Sequence, residues 1–188
     1  MSEIIPQYEI EKSLQRCLSF IGEDVTREGL IDTPKRILNS WRDLFSGYSQ
    51  NVNNIMTTFK DDVCNEMVIL KDIELYSTCE HHMLPFFGKC HIAYIPNGKI
   101  LGVSKLARLM EIYARRMQIQ ERIVKQITLA LDFYLNPLGS ACIIEAQHFC
   151  MTSRGVQKEN SKMLTSSLTG VFKDDIEVRQ EFLSLIKG

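Results

Sequence analysis

The segment Ser77-Thr78-Cys79-Glu80-His81-His82 holds the densest set of metal-capable side chains in the sequence, and Gln147-His148-Phe149-Cys150 follows about seventy residues later. Thiolate sulfur and neutral imidazole are the donors that a tetrahedral zinc ion prefers, and Cys-x-x-His spacing lets one turn of backbone present both to the same ion. A lone buried cysteine is ordinarily a small hydrophobe, and a lone histidine a hydrogen-bonded core or surface residue. Two clusters that each join Cys to His favour a split zinc site over that bland account. Cys79, His81, His82, His148 and Cys150 offer one donor more than a closed four-ligand site needs, and surplus imidazoles suit acid or base work beside a metal.

Two further segments could bind the ends of a nucleotide. In Gly102-Val103-Ser104-Lys105-Leu106-Ala107-Arg108, two cations fall in the first turn of an expected helix, where the macrodipole is already positive. An anion resolves that conflict, since free backbone N–H groups, the Ser104 hydroxyl, Lys105 and Arg108 together could hold phosphate oxygens. Solvated surface cations are the competing account. In Gln118-Ile119-Gln120-Glu121-Arg122, the Glu121 carboxylate could accept from the N1–H and exocyclic amine of guanine, two parallel donors. A solvated Glu121–Lys125 pair along one helix face is the alternative, and spacing does not choose between them. Arg154, close after Cys150, could clamp phosphate or polarise an oxygen, or simply face water.

These groups must be positioned by regular elements. Ile10, Leu14, Cys17, Leu18 and Ile21 recur at helical spacing from Tyr8 to Ile21, with Gly22 as a stop. Thr33 as N-cap and Pro34 at N1 open a second helix with an apolar face of Ile37, Leu38, Trp41, Leu44 and Phe45, ending at Gly47. A polar linker, Ser49 to Asn54, follows. Val68 to Tyr76 and Gly88 to Ile95 read as strands, which places the first cluster on the loop between them, and Pro96-Asn97-Gly98 marks a turn. Ser104 to Gln118 and Ile119 to Asn136 carry apolar residues at helical spacing with no breaker between Arg116 and Gln120. The run Ala141 to Ala146 reads as a strand continuing through His148 and Cys150, an i, i+2 pair on one face. A polar loop from Thr152 to Ser167, a short strand through Val171 and Phe172, and a final helix with Asp174 and Glu177 as a capping box complete the chain.

The 188 residues are 45% hydrophobic, ample for one domain with a helical appendage; the boundaries expected are 1–60 for an N-terminal helical region and 61–188 for the main domain. A net charge of -1 without a basic tail or aromatic-basic stripe argues against nucleic-acid binding. The start, Met1-Ser2-Glu3-Ile4-Ile5-Pro6, lacks a basic n-region and an apolar h-region, and no stretch reaches membrane-spanning length, so a cytoplasmic protein is expected. Its six cysteines are then reduced, and Cys17, Cys64, Cys90 and Cys142 read as packing residues.

With these residues assembled, the chain resembles the GTP cyclohydrolase I family. The motifs are S-T-C-E-H-H at Ser77 to His82, L-G-V-S-K-L-A-R at Leu101 to Arg108, Q-I-Q-E-R at Gln118 to Arg122 and H-F-C at His148 to Cys150. The resemblance continues through R-G-V-Q-K-E-N-S-K at Arg154 to Lys162 and D-T-P-K-R at Asp32 to Arg36, and leaves only about the first two dozen residues generic. It implies zinc held by Cys79, His82 and Cys150, with His81 and His148 as proton-transfer residues. It further implies guanine read by Glu121 in a pocket shaped by Gln120 and Ile119. Ser104, Lys105, Arg108, Arg154 and Arg36 then correspond to residues around ribose and triphosphate, Ser104 assisting later catalytic steps. Asn39 stands where some members carry a further basic residue. The expected fold is α+β, a tunnelling fold of antiparallel strands backed by two antiparallel helices with an N-terminal helical extension. The implied assembly is a homodecamer with GTP as substrate. A relative that reduces a deazaguanine nitrile would rely on a catalytic cysteine without this zinc set, and a structural zinc subunit would not need both His81 and His148.

Overall fold

A computed structural model describes residues 5–61 and 63–187; the first four residues, Asp62 and Gly188, which the expected regions 1–60 and 61–188 include, lie outside the described residues. The chain divides into two compact units, one ending at Phe45 and the other beginning at Ser46.

The first unit pairs α1 (Gln7–Phe20) with α2 (Thr33–Leu44). Periodicity at three and four residues gives α1 its stripe, yet none of its residues is buried, and Tyr8, Phe20 and Ile21 remain exposed. Gly22 takes φ +96°, the left-handed geometry that ends the segment. At α2 the expected cap shifts by one residue. Asp32 is the N-cap and makes no side-chain capping bond, while the Thr33 hydroxyl donates to Gly29 O at 3.3 Å.

The second unit opens with a 3-10 turn at Ser46–Ser49, and a second such turn, Val52–Asn54, lies within the polar linker expected from Ser49 to Asn54. It continues with β1 (Thr58–Phe59), β2 (Val68–Cys79), β3 (Pro85–Ile95), β4 (Ile100–Leu101), α3 (Val103–Ala114), β5 (Met117–Gln118) and α4 (Gln120–Leu135). β6 (Gly139–His148), α5 (Phe149–Thr152), β7 (Met163–Leu168), α6 (Val171–Asp174) and α7 (Ile176–Lys187) complete it. Gly47 is not a helix stop but a close-approach position: a Cβ there would lie 2.2 Å from Ile112 O, and its N–H donates to Arg115 O at 3.0 Å.

Five strands form a mixed sheet in the order β5-β2-β3-β6-β7, antiparallel except for the β2–β5 pair. Alternation sends Leu75, Cys79, Phe86, Cys90, Ile92, Tyr94, Cys142, Ile144 and Ala146 to one face. There they meet Leu106, Leu109 and Met110 of α3 and Ile123, Val124, Ile127 and Leu131 of α4. On the other face Ala93, Ala141 and Ile143 pack against Phe172 of α6 and Phe182 of α7. The α+β class and the two helices over one sheet face are as expected. No described helix is long and apolar enough to cross a membrane.

Several local expectations are corrected. β2 runs three residues past Tyr76, because Ser77 and Thr78 continue the ladder with β3 while Thr78 and Cys79 pair with β5. The expected loop from Thr152 to Ser167 contains β7: Met163–Leu168 finds its partner on β6, and pairing overrides a polar composition. Val171 and Phe172 stand in a helical turn rather than a strand. The cap of α7 is Asp175, whose Oδ1 accepts from Glu177 N at 2.8 Å and Val178 N at 3.4 Å, not Asp174. Cys90 and Cys142 are core residues as expected, whereas Cys17 and Cys64 are exposed.

Candidate functional site

The site is built where β2 ends, β6 ends and α4 begins. Cys79 closes β2: its N–H donates to Leu84 O at 2.8 Å, and its carbonyl accepts from Met83 N at 2.9 Å. The tight loop needs a left-handed residue, Met83, at φ 54°. It folds His81 and His82 back over Cys79, with their Nδ1 atoms 3.9 Å and 3.8 Å from the Cys79 Sγ.

The second cluster departs from the expected geometry. The strand stops at His148, and Cys150 sits in the short helix α5, so the two residues do not share a strand face. The turn carries Cys150 inward instead. Cys79, His82 and Cys150 place one donor atom each within 4.8 Å of one another, whereas His81 and His148 are not part of that group. Of five candidate donors the fold therefore gathers three.

Bonds of ~2.3 Å to sulfur and ~2.1 Å to nitrogen at tetrahedral angles set donors about 3.6 Å apart. The 3.8 Å between Cys79 Sγ and His82 Nδ1 is close to that spacing. Burial, followed by the neighbouring Cys79 thiol, pushes the Cys150 thiol up, and the Arg154 guanidinium pulls it the other way. A cation would relieve that conflict between adjacent sulfurs. The donor set thus fits a small divalent ion that favours thiolate and imidazole.

His148 ends β6 opposite Phe86 of β3, and this register stacks the two rings, with centroids 4.5 Å apart and planes 4° from parallel. Its Nε2 lies 2.8 Å from Gln120 Oε1. Burial depresses its pKa, while the negative charge of Glu121 works in the opposite direction.

The break between α3 and α4 is a tertiary feature. β5 pairs with β2 through Thr78↔Met117 and Cys79↔Gln118, and Glu80 N donates to Gln118 O at 3.0 Å. Buried Gln118 spends its amide nitrogen on Tyr113 O at 2.9 Å and Gln126 Oε1 at 2.7 Å. The expected helix Ser104 to Gln118 accordingly ends at Ala114, and extended Ile119, half-buried, caps α4. Glu121 falls in the first turn of α4, exposed, and no ion pair joins it to Lys125 among the described residues.

A feature not assigned from sequence is the clamp between Glu80 and Arg122. Arg122 Nη2 donates to Glu80 Oε1 at 2.9 Å and Nη1 to Oε2, a bidentate pair. Arg122 holds the Glu80 carboxyl below the usual range. Each partner adjoins a candidate site residue, so the pair ties the metal loop to the first turn of α4. Their charges were visible in the motifs, but a pairing across 42 positions has no local signal.

Ser104, Lys105 and Arg108 occupy the first turns of α3, and among the described residues their side chains have no hydrogen bond or ion pair. Arg154 is exposed on the segment between α5 and β7, beside Gly155 at φ +66°. Arg36 belongs to the first unit, exposed on α2 and 3.6 Å from Asp32.

A model of the GTP cyclohydrolase I family matches residues 10–187. The relative from Wolinella succinogenes named GTP cyclohydrolase 1 is 52% identical over 95% of this chain and 96% of its own length. That from Methylococcus capsulatus, of the same name, is 52% identical over 94% of this chain and 96% of its own. Among solved structures, the archaeosine synthase QueF-Like in the apo form aligns with a TM-score of 0.47 and 15% identity, covering 57% of this chain and 97% of that one. A match that spans nearly the whole sequence, at about half its positions identical to relatives of one name, makes this chain a member of the GTP cyclohydrolase I family.

Proposed function

We propose that the protein converts GTP to 7,8-dihydroneopterin triphosphate with release of formate, as a zinc-dependent enzyme at the entry to pterin and tetrahydrofolate synthesis. The observation that carries this reading is the convergence of Cys79, His82 and Cys150 within 4.8 Å, with His81 Nδ1 3.9 Å from the Cys79 Sγ and His148 two positions before Cys150. Zinc is the ion this donor set suits, and when bound it supplies Lewis acidity that brings the pKa of water down to about 7.

Cutting C8 out of guanine requires that the attacking water lose a proton and the departing ring nitrogen gain one. His148 and His81 are this chain's groups for those transfers. Glu121 follows Gln120, whose Oε1 lies 2.8 Å from His148 Nε2, so a base read by its carboxylate would lie near the histidine that handles protons. Ile119 borders that base from the start of α4, and buried Gln120 shapes the pocket from behind, through the side chains it holds. Ser104, Lys105, Arg108 and Arg154 are left to meet the ribose and triphosphate, with Arg36 in the same role from its motif. Ser104 further assists the rearrangement of the opened ribose.

The same reading assigns the tunnelling fold, a cytoplasmic location and a homo-oligomer, a decamer by family resemblance, with no role for nucleic acid or membrane. The bare stripe of α1 and the exposed Leu129 and Phe133 of α4 support association with further copies. The decisive test supplies zinc-loaded protein with GTP and follows formate together with the fluorescence of oxidised neopterin. Equal amounts of both are expected; release of neither overturns the reading.

A further inference from the structure

Gln120 is the first residue of α4 and is 1% exposed, so its amide sits inside the protein rather than at the surface of a base pocket. Its nitrogen lies 2.9 Å from Ile144 O, 3.0 Å from Met163 O and 2.9 Å from Thr165 Oγ1. The two backbone carbonyls can only accept, so the NH2 end of the amide must face them, and the orientation of the amide is fixed. The other end, Oε1, then faces His148 Nε2 at 2.8 Å. A carbonyl oxygen only accepts, hence Nε2 carries a hydrogen. The stack on fully buried Phe86 holds the plane of the ring.

We propose that Gln120 is a positioning residue which holds His148 as the Nε2–H tautomer and so assigns proton transfer to Nδ1. In the imidazolium both nitrogens bear hydrogen, and departure of the proton from Nδ1 restores the tautomer that the amide selects. β6 and β7 take part, because Ile144 O and the Met163 and Thr165 groups orient the amide that orients the histidine. The kinetic part rests on the cyclohydrolase reading; the tautomer does not.

The test has two arms. Solid-state NMR of zinc-loaded protein carrying labelled histidine, in mildly alkaline buffer, reads the ring directly, with His148 assigned by its loss in His148→Asn. Hydrogen on Nε2 with a bare Nδ1 is expected, and a spectrum with Nδ1 protonated overturns the proposal. In the kinetic arm, Gln120→Leu should lower kcat about 100-fold, the scale of a lost acid–base group, with KM for GTP within about twofold and zinc content unchanged. Gln120→Glu, protonated so that its hydroxyl meets the Ile144 and Met163 carbonyls, keeps an acceptor for Nε2–H and should recover about tenfold of that loss. Unchanged kcat in folded Gln120→Leu overturns the proposal, as does a raised KM with kcat intact, which would make Gln120 a substrate-binding residue. If circular dichroism shows Gln120→Leu unfolded, the spectrum and Gln120→Glu against the parent decide. A parent that leaves GTP untouched defeats the functional reading, and the spectrum still decides the tautomer.

Discussion

The two ends of the candidate site differ in who holds their side chains. At the end that gathers the candidate donors the chain ties its own groups, exposed Glu121 excepted. Glu80 is bound by Arg122, Gln118 by Tyr113 and Gln126, and His148 by Gln120 and Phe86. At the start of α3, Ser104, Lys105 and Arg108 have no partner among the described residues. The first end is built for atoms whose placement must not vary, since proton transfer and metal binding depend on distances of a few tenths of an ångström. The second needs only charge, because phosphate oxygens are reached well by flexible cations. On the proposed reading, the difference teaches that preorganisation follows the chemistry and is concentrated where bonds break.

The largest expected effect is at the centre of the rigid end. Cys150→Ser removes a thiolate donor and should lower metal affinity by more than ~100-fold, with turnover lost in step, as elemental analysis and the formate assay would show. Full metal occupancy in that variant would remove Cys150 from the donor set. Next, Arg122→Met should weaken metal binding by roughly 10- to 100-fold while circular dichroism stays unchanged, because the clamp only orients the loop that follows Cys79 and carries His82. Unaltered affinity in a chelator competition would show the clamp to be ornamental. Glu121→Gln should raise the Kd for GTP about 30-fold, the equivalent of about 2 kcal/mol for a lost charged hydrogen bond, without changing zinc content. Values within twofold of the parent would reject guanine reading by Glu121.

At the bare end, Lys105→Ala and Arg108→Ala should each raise KM about tenfold and leave kcat in place, and the penalty should shrink as salt is added. A fall in kcat with KM constant would place these cations at the reacting atoms and erase the contrast between the two ends.

The smallest effect concerns a region outside both. His91 is half-buried on β3, where its Nδ1 accepts from Asp72 N at 3.2 Å. Burial lowers its pKa, Asp72 and Glu145 oppose this, and Lys89 and Lys71 reinforce it. A depressed folded-state pKa means that the unfolded chain binds the proton more readily. The associated stability is present above about pH 6.5 and is lost as pH falls below it. Urea unfolding on either side of that value should show a slope that His91→Gln flattens; an unchanged slope would assign it to other groups.

Much of this was legible in the sequence. The donor types, the spacing within each cluster and the motifs sufficed to identify the family, and three- and four-residue periodicity placed α1, α2, α3 and α4 to within a few residues except at one end. That end, the close of α3, failed because nothing between Arg116 and Gln120 breaks a helix; strand pairing with Thr78 and Cys79 imposes the break. Cys150 was read on a strand that stops two residues earlier, and β7 was hidden in a polar stretch whose partner lies on β6.

By itself, then, the sequence determined which chemical groups are available and which short segments coil or extend, since those depend on neighbours within about four positions. Tertiary structure brought together the three of five donors that the motifs had named only through resemblance, and it alone decided which way the Gln120 amide faces and which carboxylate Arg122 holds. Each is set by contacts between residues dozens of positions apart, whose pairing is fixed by sheet register and core packing rather than by any local pattern.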